Sequence, residues 1–171
     1  MSPEVPSSLI EERSRGARRS EEEGAPVVEV RLLRAGAAPP RYQTDGAAGM
    51  DLSACPVGGE AIELPAGAIR VIPCGVALAI PMGFEGQVRP RSGLASRHGV
   101  TLPNAPGTID SDYRGEVMVP LINLGGSAFV VTPGMRVAQL VIAPVSRAVV
   151  RVCGSLDATE RGEGGFGSTG V

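Results

Sequence analysis

Short apolar runs separated by glycine and proline constrain the fold of this chain more than any other feature. The 171 residues include 24 Gly and 15 Pro, well above the roughly 12% that the two together contribute to average proteins. Proline breaks a helix when it falls inside one, and prolines recur from residue 65 to residue 144. No long segment keeps the 3.6-residue periodicity of an amphipathic helix. The chain is therefore predicted to be all-β, folded as a jelly-roll-like sandwich or barrel.

Nine apolar runs are predicted to be strands, and most of them are bounded by Gly, Pro or Asn. Trp is absent and aromatic residues make up only 3% of the chain, so the core must consist of Val, Ile, Leu and Ala. The predicted strands cover residues 27–33, 62–64, 69–72, 76–80, 87–89, 117–121, 128–131, 137–142 and 148–152.

The composition changes twice along the chain. Residues 1–25 are rich in Arg and Glu and hold few large apolar side chains, which predicts a disordered N-terminal extension. Residues 26–160 contain every predicted strand and are expected to form one β domain. Residues 161–171 are too rich in glycine to form a core, but they combine Arg, Phe, Ser and Thr with flexible backbone amides. That combination can clamp a phosphate and a base, although a floppy terminus is the ordinary alternative.

The charge of the chain argues against whole classes of partner. The net charge is −2, so no overall basic field attracts nucleic acid. All 16 basic residues are Arg, whose planar guanidinium fits phosphate. The three cysteines are widely spaced and follow no disulfide or zinc pattern, and no run suits a signal peptide or a membrane span. We therefore expect a cytoplasmic protein that binds neither nucleic acid nor membrane.

Polar residues in one apparent hairpin form the first candidate site. Asn104 stands at one end of it, and Asp110 and Tyr113 stand at the other. A carboxylate can deprotonate a water molecule, and an aromatic ring beside it can support a sugar. A turn that is merely rich in Asp and Ser is the alternative interpretation.

Three other segments carry polar residues suited to a phosphorylated ligand. Arg91, Ser92 and Gly93 offer a cation, a hydroxyl and a backbone amide to phosphate oxygens. Asp51 is an acid within an apolar strand, and Gln139 is a polar residue within another, where a buried amide needs partners. Each of these features is common when it occurs alone.

As an ordered set, these segments resemble the five motifs of the trimeric dUTPase family. The resemblance extends over about residues 27–170, and one departure is Met50, at a position that is often aromatic in the family. The five segments are AGMDLSA (48–54), RPRSGLA (89–95), GTIDSDYRGEV (107–117), GMRVAQLV (134–141) and RGEGGFGSTG (161–170).

The resemblance implies a dUTP diphosphatase that hydrolyses dUTP to dUMP and pyrophosphate. Such an enzyme limits uracil incorporation into DNA and supplies dUMP for dTMP synthesis. The family fold is an all-β homotrimer whose active sites are shared between subunits. The resemblance also implies Mg²⁺ as cofactor, held mainly by triphosphate oxygens and water, as this hard ion prefers.

The resemblance further implies a role for each matching residue. Asp110 activates the water that attacks the α-phosphorus, Gln139 contacts the α-phosphate region and that water, and Asp51 acts on the metal through water. The others bind substrate: Arg91, Ser92 and Gly93 hold phosphate; Asn104, Gly107, Thr108 and Ile109 read uracil; Tyr113 stacks under deoxyribose; Arg161 binds the terminal phosphate; Phe166 stacks on uracil; and Gly167 and Ser168 complete the lid.

Nearby polar residues have simpler interpretations. Asp112 is expected to be structural, Arg114 and Glu116 to form intersubunit or surface pairs, Arg136 to lie at an interface and His98 to lie in a turn or on the surface.

Two other functions stay open from the sequence. One is the related dCTP deaminase, which shares the fold but needs an acid–base group near the amine of cytosine. The other is a nucleotide-gated interaction protein that uses residues 1–25 to regulate a partner.

Overall fold

The apolar runs fold into ten strands, one short α-helix and one 3-10 turn at Val57–Gly59 over residues 24–165, the part of the chain that a computed structural model describes. The elements are β1 Glu29–Leu32, β2 Met50–Ser53, β3 Ile62–Leu64, β4 Ile69–Ala79, β5 Phe84–Arg89, α1 Ser92–His98, β6 Val100–Thr101, β7 Gly107–Ile109, β8 Glu116–Asn123, β9 Phe129–Val131 and β10 Arg136–Pro144.

The strands form two four-stranded antiparallel sheets and one two-stranded ladder. The first sheet has the order β1-β4-β8-β6, the second has the order β2-β10-β5-β7, and β3 pairs with β9. This arrangement confirms the all-β, jelly-roll-like prediction. The second sheet positions the candidate site, because β2, β5, β7 and β10 carry or border four of the five segments singled out above.

Aliphatic side chains that alternate along the strands fill the core. Val117, Val119 and Leu121 point inward from β8 and are almost completely buried. They belong to one cluster with Leu52 from β2 and Leu140 from β10. The inner faces of both large sheets therefore meet in a single hydrophobic core, as the composition predicts.

The outward side of the β4–β8 pair is also apolar, which is unusual for a face that meets water. Ile69, Val71 and Met118 are each between 43% and 52% exposed. We call this surface the apolar face, and its cross-strand pairs are Ile69 with Ile122, Val71 with Pro120 and Pro73 with Met118.

Two strand predictions differ from the structure. Runs 69–72 and 76–80 were predicted as separate strands, but β4 continues from Ile69 to Ala79, with a register shift between Pro73 and Ala77. The prediction of a strand over 148–152 is wrong, because these residues have no regular structure and their valines are 89% to 95% exposed. A β-branched run forms a strand only where a partner strand is available to it.

One prediction missed a helix. No helix was predicted over Ser92–His98, but this segment forms the seven-residue helix α1, which ends at Gly99 with a left-handed φ of 67°. Gly99 donates its amide to the Ala95 carbonyl, a common helix ending.

Several expectations fall outside the residues that the structure describes. The predicted extension over 1–25 lies there, except for its last two residues, and so do Phe166, Gly167 and Ser168. Over residues 24–165, no helix is both long and apolar enough to span a membrane.

Candidate active site

The Asp51 carboxylate lies between two guanidinium groups. Its Oδ1 is 3.2 Å from Arg91 Nε, and its Oδ2 accepts a 2.8 Å hydrogen bond from Arg136 Nη1. Arg91 Nη1 also donates to the Arg136 carbonyl at 2.9 Å. Two guanidinium groups thus surround one carboxylate. The net charge of these three side chains is positive, which favours the binding of an anion. Arg136, expected at an interface, contacts an acid of its own chain.

Gln139 connects this acid to the loop after β5. It is the cross-strand partner of Asp51 on one side and of Arg89 on the other. Its Nε2 donates a hydrogen bond to the Pro90 carbonyl at 2.9 Å. The side-chain amide of this polar residue is therefore hydrogen-bonded within its apolar strand. A Cβ atom on Gly49 would lie 3.0 Å from Gln139 Oε1, which explains a glycine beside this amide.

Ser92 and Gly93 form the first turn of α1, directly after Arg91. The Arg91 carbonyl accepts the amides of Leu94 and Ala95, both at 3.1 Å. This turn fixes the direction in which the chain leaves β5. We call Asp51, Arg91, Ser92, Arg136 and Gln139 the arginine cluster.

A second group of site residues surrounds a cavity of about 200 Å³ beside β7. Tyr113 is 44% exposed at its edge, and the residues that line the cavity include Asn104, Gly107, Ile109, Asp110, Tyr113 and Glu116. The structure therefore brings the polar ends of the predicted hairpin together. We call this space the hairpin cavity.

Tyr113 is held in a defined position at the rim of the hairpin cavity. Its Oη donates to the Glu116 carbonyl at 2.9 Å, and its amide donates to the Asp110 carbonyl at 3.1 Å. The ring lies over Gly115, where a Cβ atom would be 2.6 Å from Tyr113 Cζ. Any other residue at position 115 would push the ring away.

Glu116 forms an ion pair with Arg34 inside the chain. The guanidinium is bidentate, with Nη1 to Oε1 and Nη2 to Oε2 both at 2.6 Å, and the Gly75 amide donates to Oε1 at 2.8 Å. The two side chains are only 25% and 20% exposed. Glu116 was expected in a surface or intersubunit pair. The sequence provided no signal for Arg34, which lies 82 positions away.

The other neighbouring residues act locally. Arg114 donates to the carbonyls of Ser111 and Tyr113 rather than to an acid. Asp112 is exposed. His98 is also exposed, and its ring lies 5.0 Å from that of Phe129.

The Arg34–Glu116 pair predicts a change in acid stability. The Arg34 guanidinium holds the pKa of Glu116 below its ordinary value. A carboxyl whose pKa is lowered by folding stabilises the protein above its unfolded pKa, about 4.3, and loses that contribution as the pH falls through its folded pKa. Glu116→Gln should therefore lower the free energy of unfolding at pH 7 and flatten its decline below about pH 4.3. Urea unfolding at a series of pH values measures both effects; identical declines in the two proteins would contradict the prediction.

The two groups of site residues are far apart within one chain. Gln139 is opposite Arg89 on one side of β5, whereas Ile109 is opposite Gly86 on the other side. Gln139 and Ile109 are thus separated by three residues along the strand direction, about 10 Å, and by two strand spacings across the sheet, also about 10 Å. The arginine cluster and the end of β7 are therefore roughly 14 Å apart. Asp110, which follows β7, and Gln139 therefore do not lie side by side within one chain.

The remaining site residues lie near the end of the described chain. Arg161 is exposed, and its Nε donates to the Gly164 carbonyl at 2.9 Å. Between residues 24 and 165, no group of three or more His, Cys, Asp or Glu side chains is arranged to hold a metal ion.

Comparison with known sequences connects these observations. The sequence model of the dUTPase family matches residues 36–170. The deoxyuridine 5'-triphosphate nucleotidohydrolase of Syntrophotalea carbinolica is 59% identical over 144 residues, which cover 84% of this chain and 97% of that protein.

Two solved structures resemble the fold. A point mutant of the Staphylococcus bacteriophage 80alpha dUTPase, with dUpNHpp, matches with a TM-score of 0.76 and 26% identity and covers 85% of this chain and 99% of its own. A point mutant of the dUTPase from phage phi11 of S. aureus, in which a structural Mg(II) ion is coordinated, has a TM-score of 0.68 and covers 75% of this chain and 97% of its own. Its identity of 23% supports the fold alone.

Proposed function

Because this chain belongs to the dUTPase family and hydrolyses dUTP, we propose which of its residues bind the substrate and break it. The observation that carries the proposal is the hairpin cavity, where a carboxylate, Asp110, and an aromatic ring, Tyr113, stand at one rim. The carboxylate can act on water while the ring supports the nucleoside.

The hairpin cavity binds uracil and deoxyribose. Asn104, with backbone groups of Gly107, Thr108 and Ile109, hydrogen-bonds the uracil edge. The lack of a side chain at Gly107 supports this, because a Cβ atom there would lie 3.2 Å from Asn104 Nδ2 and crowd the amide. Tyr113 packs under the sugar and leaves no room for a 2′-hydroxyl.

The arginine cluster binds the triphosphate. Arg91, the Ser92 hydroxyl and the Gly93 amide hold phosphate oxygens, and the net positive charge around Asp51 supports this assignment. Arg161 binds the terminal phosphate.

Mg²⁺ is the proposed cofactor, held mainly by the triphosphate and by water, with Asp51 reaching it through water. Both Asp51 oxygens contact arginines, so a contact through water fits this carboxylate better than direct ligation. When bound, the ion offsets phosphate charge and orients the phosphates.

The proposed reaction is the direct attack of one water molecule on the α-phosphorus. The Asp110 carboxylate accepts a proton from that water as the new P–O bond forms. The bond from the α-phosphorus to the bridging oxygen breaks, and pyrophosphate leaves with that oxygen. Gln139 contacts the α-phosphate and the water, which keeps the two aligned.

We propose a homotrimer with shared active sites, and three observations support it. The arginine cluster and the end of β7 are roughly 14 Å apart in one chain. An exposed apolar face of this kind is typical of a protein–protein interface, and Met118 and Pro120 of that face also line the hairpin cavity. Val149, Val150 and Val152 are exposed on the segment after β10. Cyclic symmetry lets one copy's cluster meet a neighbour's hairpin three times.

We propose that residues 161–171 close over the bound nucleotide. Phe166 stacks on uracil, and Gly167 and Ser168 add donors to the phosphates. Phe166→Ala should weaken binding of dUpNHpp by roughly 1–3 kcal/mol, the usual contribution of one base stacked on a ring. Calorimetric titration measures this change, and Phe166→Tyr, which keeps a ring, should bind like wild type. Equal affinities for all three proteins would remove Phe166 from the site.

The cytoplasm is the proposed location. Cys55 and Cys74 are buried free thiols, which agrees with a reducing compartment. Burial raises the pKa of the Cys74 thiol to about 12, so this group stays protonated and unreactive at neutral pH.

Pyrophosphate release from each of the four dNTPs and dUTP, with and without Mg²⁺, tests the proposal. We expect release from dUTP only, and only with Mg²⁺. Ammonia released from dCTP would indicate a deaminase instead, and release without Mg²⁺ would contradict the proposed cofactor.

A further inference from the structure

We propose that the Arg34–Glu116 ion pair positions the Tyr113 ring and thereby sets the preference for deoxyribose over ribose. The inference rests on the proposed role of Tyr113 under the sugar. Arg34 lies before the stretch 36–170 that the family model matches.

Glu116 connects the ion pair to the ring directly. Its backbone carbonyl accepts the hydrogen bond from Tyr113 Oη at 2.9 Å, and its carboxylate is held by both terminal nitrogens of Arg34 at 2.6 Å. A rotation or shift of residue 116 therefore moves the acceptor that fixes the ring. Glu116 also lines the hairpin cavity, so the shift occurs at its wall.

Two segments that are distant in sequence, around Arg34 and Gly75, meet at this carboxylate, and Arg34 joins them to a third. The Gly75 amide donates to Glu116 Oε1 at 2.8 Å, and Arg34 Nη1 also donates to the Cys55 carbonyl at 3.1 Å. Gly75 has a left-handed φ of 70° and lies between Pro73 and Ala77, where the pairing register of β4 and β8 shifts. The Leu33 amide donates to the Gly75 carbonyl at 2.8 Å. The carboxylate thus takes the place of regular ladder hydrogen bonds where the ladder is interrupted.

The geometry of this pair matters more than its charge. Arg34 and Glu116 cancel each other, so the pair adds little net field to the triphosphate site. A bidentate guanidinium fixes the carboxylate in its plane, which a lysine ammonium does not. Exclusion of a single hydroxyl depends on a ring held to within about 1 Å, the scale at which misplacement costs activity. Fixing the ring is therefore the contribution we assign to the pair.

Steady-state kinetics with dUTP and UTP test this proposal in Glu116→Gln, Arg34→Lys and Tyr113→Phe. In each variant the ratio of kcat/KM for dUTP to that for UTP should fall roughly tenfold, mainly through a higher KM for dUTP and a lower one for UTP. In the double variant Tyr113→Phe/Glu116→Gln, the ratio should fall no further than in either single variant, because both substitutions disrupt the same connection between the ion pair and the ring. Val131→Ala, a change at a fully buried position in β9, is the control for lost stability and should keep the wild-type ratio.

Each contrary result has a separate meaning. An unchanged ratio in Glu116→Gln and Arg34→Lys, with lower thermal stability, would make the pair structural only and overturn the proposal. If Glu116→Gln does not fold, Arg34→Lys and Tyr113→Phe decide the question by the same ratio. Tyr113→Ala tests the sugar role of Tyr113 separately from the positioning role of the ion pair. A wild-type ratio in Tyr113→Ala would refute the sugar role itself. A lowered ratio in Tyr113→Ala, together with an unchanged ratio in Glu116→Gln and Arg34→Lys, would refute only the positioning role.

Discussion

Asp110→Asn should reduce the turnover of dUTP by about 10²-fold or more and leave nucleotide affinity close to that of wild type. Asparagine has nearly the same shape as aspartate, so the hairpin and its cavity stay intact. It cannot accept the proton of the attacking water, so the loss appears in kcat. Asp110 is exposed beside the cavity rather than buried in the core, and the substitution should therefore not affect folding.

Pyrophosphate release and titration with dUpNHpp measure the two quantities separately. Asp112→Asn is the matched control, since Asp112 is an exposed acid of the same hairpin and has no proposed part in the reaction. Turnover near the wild-type value in Asp110→Asn, or an equal loss in Asp112→Asn, would rule out Asp110 as the specific base.

Val71→Lys should dissociate the proposed trimer and reduce activity by about 10²-fold or more, because separated chains no longer align the reacting groups. Val71 is paired with Pro120 near the middle of the apolar face and is 52% exposed. An ammonium group buried in an apolar contact costs several kcal/mol, and the symmetry of a trimer repeats that cost at every copy. The fold of each chain should survive, because the side chain points away from the core.

Light scattering after size-exclusion chromatography measures the assembly. Val130→Lys is the control, since Val130 is 49% exposed and lies opposite Glu63 on the β3–β9 ladder, where a lysine is well accommodated. A Val71→Lys protein that stays trimeric, or monomers that keep full activity, would contradict the prediction.

Mixed assemblies test the proposed shared site more directly. Chains with Asp110→Asn lack the proposed base, and chains with Arg91→Ala have an incomplete arginine cluster, so each variant alone should have greatly reduced activity. If each site combines the hairpin of one chain with the cluster of another, random mixing by co-expression restores about a quarter of the sites. Activity that stays at the level of the single variants would place the whole site in one chain.

Local chemistry explains why so much of the fold could be predicted. Proline and glycine act on the residues next to them, so the all-β class and most strands, such as Ile62–Leu64, followed from the sequence. The candidate residues were found for a similar reason: they lie in short segments with a recognisable order. Their roles remain proposals.

Partners that are distant in sequence required the tertiary structure. The run 148–152 has strand propensity, but no strand pairs with it within residues 24–165, and only the structure reveals this. The pairing of Arg34 with Glu116 and the gap between the arginine cluster and the hairpin depend on strand order and register.

The sequence by itself determined the all-β class, the breaks between strands and the chemical groups available to a uracil nucleotide. The tertiary structure decided which of those groups meet. The physical reason is range: backbone preferences act over a few residues, whereas contacts between side chains depend on how the sheets pair and pack.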